Sequence, residues 1–145
     1  MTPVPDSVIW PHREGLGKVL GDLELFVMEL VWDWPRAYPV TVKEVHQAAL
    51  EQRQLAYTSV LSTMSNLVKK EALRVSKEQF AHRFWPTCTR EEFEQRMLSG
   101  LMQSLVKDFT APAIQHFVGS LETVDPQLLE ALDAEIQRRR RKEAP

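Results

Sequence analysis

The run "LAYTSVLSTMSNLVKKEALRVSKEQFAHRFWP", Leu55 to Pro86, holds two periodicities in succession. In its first half Val60, Met64, Leu67 and Val68 recur at three- and four-residue spacing, with Leu61 at the edge, which predicts an amphipathic helix over Tyr57 to Lys70. Thr58, Ser59, Ser62, Ser65, Asn66 and Lys69 fall on its outward side. A face meant only for water usually carries more Glu and Lys than this one. In the second half Leu73 and Val75 alternate with Arg74 and Ser76, then Phe84 with Arg83 and Trp85, and Lys77 to Ala81 lie between. That pattern predicts a two-stranded hairpin with a basic tip and a basic outer edge.

Two helices are expected upstream. "GDLELFVMELVWDW" repeats Leu23, Phe26, Val27, Leu30 and Val31 at helical spacing and stops before Pro35, with Asp22, Glu24, Glu29 and Asp33 expected outward. In "YPVTVKEVHQAALEQR" Thr41 and Glu44 have the spacing of a capping box, and Val42, Val45, Ala49 and Leu50 supply an apolar side. Val40 reads as one residue of a short strand before it. The opening arm, with Pro3, Pro5, Pro11, Gly15 and Gly17, reads as flexible.

Three helices followed by a basic hairpin is the order of a winged helix-turn-helix, whose third helix enters the DNA major groove while the hairpin lies along the phosphates. The groove is about 12 Å wide, so small hydroxyl and amide side chains let a helix backbone approach the base edges, and Asn can pair with an adenine edge. Lys69 and Lys70 then close the helix near phosphates, and Arg74, Lys77, His82 and Arg83 charge the hairpin. Between Thr41 and Cys88 seven Lys or Arg face four Glu, in a chain whose net charge is −2. The basic excess sits where the reader is expected.

The segments "LGDLELFVMELVWDW", "VTVKEVHQAAL", "LAYTSVLSTMSNLVKKEALRV" and "RFWPTCTREEF" together resemble the BlaI/MecI/CopY family of bacterial penicillinase-type repressors, in detail from Leu16 to Glu94 and in outline through the tail. The resemblance implies a homodimeric repressor on an inverted-repeat operator. It puts the recognition helix on Tyr57 to Lys70, with Thr58, Ser59, Ser62 and Asn66 as base or phosphate contacts, and the wing on Leu73 to Pro86. Two departures stand out. Relatives often carry Gly after the Lys-Lys pair, where this chain has Glu71, so the helix must end without the usual left-handed glycine. The wing tip "KEQFAH" also lacks Gly, and its Phe80 is out of place in a phosphate-facing loop.

Beyond the hairpin, Thr89 and Glu92 form a second capping box for a helix through Phe93, Met97, Leu98, Leu101 and Leu105. A helical piece after Pro112 carries Ile114, Phe117 and Val118, and Asp125-Pro126 opens a last helix through Leu128, Leu129, Leu132 and Ile136 into "RRRRK". One small extension cannot bury these stripes alone, so Phe93, Met97, Leu101, Leu105, Ile114, Phe117, Val118, Leu128, Leu129 and Leu132 are expected at a dimer interface. The run Arg138 to Lys142 suits a helix C-terminus. The expected architecture is mainly α with a small β-hairpin: a flexible arm over 1–17, a winged helix DNA-binding domain over 18–88, and a C-terminal helical dimerisation domain over 89–145.

Some relatives of this kind are released from DNA by cleavage at an Asn-Phe bond. The one asparagine here, Asn66, precedes Leu67. Copper-responsive relatives use clustered C-terminal cysteines, and this chain has only Cys88, which reads as a packing residue. Neither release route is written in the sequence. His12, His46, His82 and His116 lack ligand spacing, so no metal or other cofactor is expected. No nucleophile-base pair, phosphate loop or paired catalytic carboxylates stand out, so an enzyme is not expected. With no signal-peptide pattern and no membrane-length apolar run, the chain is expected to be cytoplasmic. The alternative is a protein-interaction adaptor that uses the winged-helix shape without DNA; a salt titration on DNA separates the two.

Overall fold

A computed structural model of the chain describes residue 9 and residues 13–78 and 80–143. Trp10, Pro11 and His12 of the expected arm lie outside them. Helices α1 (Asp22–Trp32), α2 (Val42–Leu50) and α3 (Tyr57–Lys69) precede strands β1 (Leu73–Lys77) and β2 (His82–Pro86), and α4 (Arg90–Asp108), α5 (Thr110–Val124) and α6 (Gln127–Glu143) follow. This is the winged helix-turn-helix order with a helical C-terminal region. The chain divides into two compact units, residues 1–100 and residues 101–145, with the boundary inside the span of α4.

The local signals act where the sequence places them. The Thr41 hydroxyl accepts the Glu44 N–H at 3.2 Å while the Glu44 carboxylate accepts the Thr41 N–H at 3.1 Å, a reciprocal cap that satisfies two otherwise orphaned donors. Thr89 and Glu92 repeat it at the start of α4, at 3.1 and 3.5 Å. Asp125 accepts the Gln127 N–H at 3.0 Å, so α6 begins one residue after Pro126.

In the first unit, Val27, Met28 and Val31 of α1 meet Val45 of α2, Met64 and Leu67 of α3 and Phe84 of β2 in one buried cluster. The strands pair antiparallel from Leu73↔Pro86 to Lys77↔His82. Val40 adds a single-residue bridge: it exchanges two backbone hydrogen bonds with Phe84, both 2.9 Å. The hairpin is thereby tied to the segment entering α2.

Four expectations are corrected by packing. Leu16, assigned to the flexible arm, is buried beside Leu20 in the core, within a 3-10 turn over Gly15–Lys18. Glu24, expected on the outer acidic side of α1, turns inward, where it accepts the Gly21 N–H at 2.8 Å and pairs with Lys70. Phe93 and Met97, expected at a dimer interface, belong to the first unit's core, with the Phe93 ring 5.6 Å from that of Trp32. Phe93 is wholly buried and Met97 nearly so, which leaves little of either to offer a partner.

The end of α3 shows how the chain manages without glycine. Glu71 takes φ +61°, the left-handed region. The Ala72 N–H then reaches the Leu67 carbonyl at 2.9 Å and the Glu71 N–H reaches that of Val68 at 3.0 Å, the paired bonds of a Schellman motif. The Glu71 carbonyl itself accepts from the Thr87 hydroxyl at 2.7 Å and from Arg96 at 3.1 Å. These contacts hold a conformation that a side chain disfavours.

In the second unit α5 and α6 contain no buried residue.

Candidate nucleic-acid interface

Thr58, Ser62, Asn66 and Lys69 follow one another at four-, four- and three-residue steps, so they form a single line along α3, and all four are exposed. Among the described residues the side chains of Thr58, Ser62 and Asn66 make no hydrogen bond, whereas Thr63 and Ser65 give their hydroxyls to the carbonyls of Ser59 and Leu61, at 2.7 and 2.9 Å. The outward line therefore keeps its donors and acceptors for something outside the chain. Ser59 is half-buried at its edge. Thr63 is buried, a polar core position that the periodicity did not assign.

Tyr57 opens the helix with its ring edge-on to His46, the centroids 5.7 Å apart. The Nε2–H of His46 donates to the Leu55 carbonyl at 2.8 Å, which fixes the imidazole and with it the tyrosine. The two lysines at the far end diverge. Lys69 is exposed, but Lys70 is turned in, with its ammonium 2.7 Å from Glu24 and 3.4 Å from the Val19 carbonyl. With side chains only 12% and 14% exposed, this pair belongs to the domain's interior rather than to its polar face.

On the hairpin, Arg74, Lys77, His82 and Arg83 are all exposed. Arg74 lies over the Trp85 ring at 4.5 Å, which orients its guanidinium without neutralising it. Arg83 meets Glu78 at 3.2 Å, with both side chains about half exposed, a surface pair of about 0 to 1 kcal/mol that a phosphate can replace. The wing tip and α3 share a cleft of about 550 Å³ lined by Thr41, Val42, Lys43, Tyr57, Leu61, Glu78, Phe80, Ala81 and His82. Lys43 and Leu61 are additions to the expected site. Sequence alone marks Lys43 as basic but does not say that the N-terminus of α2 meets the wing.

The second unit presents a different surface. Met102, Leu105, Val106, Phe109, Pro112, Ala113, Ile114, His116, Phe117 and Ser120 line a concavity of about 480 Å³. Leu105, Ile114, Phe117 and Leu128 are exposed there and on α6, and Leu101, Val118, Leu129 and Leu132 are partly so. Phe109 and Val106 join them although the expected list lacked both. On α6, hydrogen bonds from Arg138 and then Arg139, at 2.5 and 2.8 Å, bring the Glu135 carboxyl down to about 2, and Glu135 in turn raises Arg138. In the first unit burial pushes the Tyr38 phenol up, with Asp33 adding to it.

Among the described residues no group of three His, Cys, Asp or Glu is placed to hold a metal ion. No described helix is long and apolar enough to cross a membrane. Cys88 is half-buried, with Arg96 3.3 Å from its sulfur.

A family model described as penicillinase repressor matches residues 20–138. The chain is 34% identical over 119 residues to a protein of Mycobacterium tuberculosis named transcriptional regulator BlaI, in each of two strains, covering 81% of this chain and 85% of that protein. Those names describe transcriptional regulators, not enzymes.

Proposed function

The chain belongs to the penicillinase repressor family of transcriptional repressors, and we propose that it acts as a homodimer whose two winged helices bind an inverted-repeat operator. The observation that carries this reading is the α3 line of Thr58, Ser62, Asn66 and Lys69, exposed and with its side-chain amide and hydroxyls unengaged, beside a hairpin bearing Arg74, Lys77 and Arg83. Hydroxyls and an amide read base edges in a major groove, while the cations supply sequence-independent attraction to phosphates. Lys70 is left out of the phosphate set because Glu24 already holds it.

The proposed dimer rests on the second unit. Stripes left without a fully buried residue within α5 and α6 are covered when two copies meet, and two-fold symmetry matches two half-sites. The proposed winged helix of residues 18–88 has Leu16, Phe93 and Met97 packed onto it, and the proposed association surface lies on the tail from Leu101 onward.

The test is fluorescence anisotropy on a duplex that the wild-type chain has selected from a random library, titrated with salt. Lys69, Arg74, Lys77 and Arg83 from both protomers give an expected slope of log K against log salt of about −7. Asn66→Ala is expected to weaken the selected duplex by about 1 to 3 kcal/mol while leaving random DNA unchanged. A flat salt dependence would reject DNA binding and leave a protein-interaction adaptor as the reading.

A further inference from the structure

The wing tip carries a residue that the phosphate contacts do not use. Phe80 is 94% exposed, the most open large apolar side chain among the described residues. Lys77↔His82 is the last pair of the hairpin ladder, so Glu78, Phe80 and Ala81 lie in the turn between the strands. Glu78, the acidic group of that turn, is drawn back onto Arg83 at 3.2 Å. The described part of the turn therefore presents an aromatic ring, and a cation stands behind it on each strand, Lys77 on β1 and Arg83 on β2.

We infer that Phe80 is an apolar wedge that enters the DNA minor groove flanking each half-site. The inference rests on the DNA-binding reading above and adds a residue that sets specificity. A hairpin held beside a helix in the major groove falls over the neighbouring minor groove, and the wing tip lines one cleft with Tyr57 and Leu61 of α3. That groove is about 6 Å wide between two walls of phosphate. Lys77 and Arg83 on the two strands of the hairpin match the two walls, and an aromatic ring at the tip matches the floor, where it packs on sugars and base edges. Apolar side chains inserted there part a base step, and pyrimidine–purine steps part most readily. Phe80 thereby reads the deformability of sequence that α3 never touches.

The experiment uses the full chain, wild type and Phe80→Ser, each selecting from the same random duplex library. Because Phe80 packs on almost nothing, Phe80→Ser is expected to unfold at the wild-type temperature, and Phe80→Leu serves as the conservative variant. Both selections are expected to return the same inner repeat, but only the wild-type pool should be enriched in pyrimidine–purine steps at the flanks. On the wild-type duplex Phe80→Ser is expected to bind about tenfold more weakly, a difference of about 1.4 kcal/mol, and Phe80→Leu to recover most of that. A 2-aminopurine placed at the flanking step should brighten with wild type and not with Phe80→Ser. Binding within twofold and unchanged flank preference in Phe80→Ser would overturn the wedge while leaving the DNA reader standing. Failure of the wild-type chain to select any duplex would overturn both.

Discussion

Helices α1 to α3 and helices α5 to α6 carry apolar stripes of the same kind, yet they end differently: every buried apolar residue among the described ones lies between Leu16 and Met97. In the first unit three helices and a hairpin close on one another, so a stripe finds its cover within the chain. In the second, Ile114, Phe117 and Leu128 stay exposed. An amphipathic pattern predicts that a face will be covered, not what covers it. The sharpest way to break this contrast is a pair of truncations. Phe84→Ala is expected to cost the first unit about 3 to 5 kcal/mol, seen in urea unfolding and independent of protein concentration. Phe117→Ala is expected to leave that transition in place and to weaken association, seen as a rise in the monomer fraction by sedimentation. A cost for Phe117→Ala that is equally large at every concentration would mean the tail covers its face within one chain, and the contrast would fail.

The same division between inward and outward separates two neighbouring lysines. Lys70→Ala strands Glu24, whose side chain is 14% exposed, and is expected to cost roughly 2 to 3 kcal/mol of stability with the DNA salt slope unchanged. Lys69→Ala is expected to move stability by less than about 0.5 kcal/mol and to lower the slope by about 1 per protomer. Exchange of these two outcomes would place Lys70 on the phosphates and Lys69 in the fold.

A smaller effect is expected at Glu71, the left-handed residue after α3. Glu71→Gly removes the clash between a side chain and φ +61° and should raise stability by about 1 kcal/mol, checked as a higher thermal midpoint with unchanged operator affinity. A loss of stability would mean that the carboxylate contributes more than the strain costs.

What was legible in the sequence follows the range of the interaction. The caps at Thr41 and Thr89 and the helix start at Asp125 depend on residues two or three apart, and they were readable. The outward line of α3 was readable because helical period alone fixes it. The Lys70–Glu24 pair joins residues 46 apart in the chain, and its partner looked like one more outward acid, so only packing reveals it. Leu16 was hidden because Gly15 and Gly17 flank it and resemble loop composition. Phe93 and Met97 continue the apolar pattern of α4 without interruption, so nothing in their spacing says that the first unit's core claims them while Leu101 and Leu105 lie beyond it. Phe80 was visible as an anomaly, but its exposure was not.

The smallest expected effect concerns what holds α6. Glu135 is depressed to about 2 by its hydrogen bonds from Arg138 and Arg139. A carboxylate whose folded pKa lies below its unfolded one contributes stability that is present above the ordinary carboxylate range and is lost as pH falls toward 2. The cluster lies at the surface, so salt screens it and its contribution is slight. Arg138, Arg139 and the following cations also sit near a helix C-terminus, where positive charge is favourable even without Glu135. Glu135 is therefore expected to titrate near 2 by NMR at low salt and closer to the ordinary range in about 1 M salt. Glu135→Gln at neutral pH, which removes the same charge without acid, is expected to leave the association constant within about twofold. If that variant instead released the dimer, ion pairs rather than the apolar face of α5 and α6 would be joining the two copies, and the difference between the units would lie in charge rather than in burial.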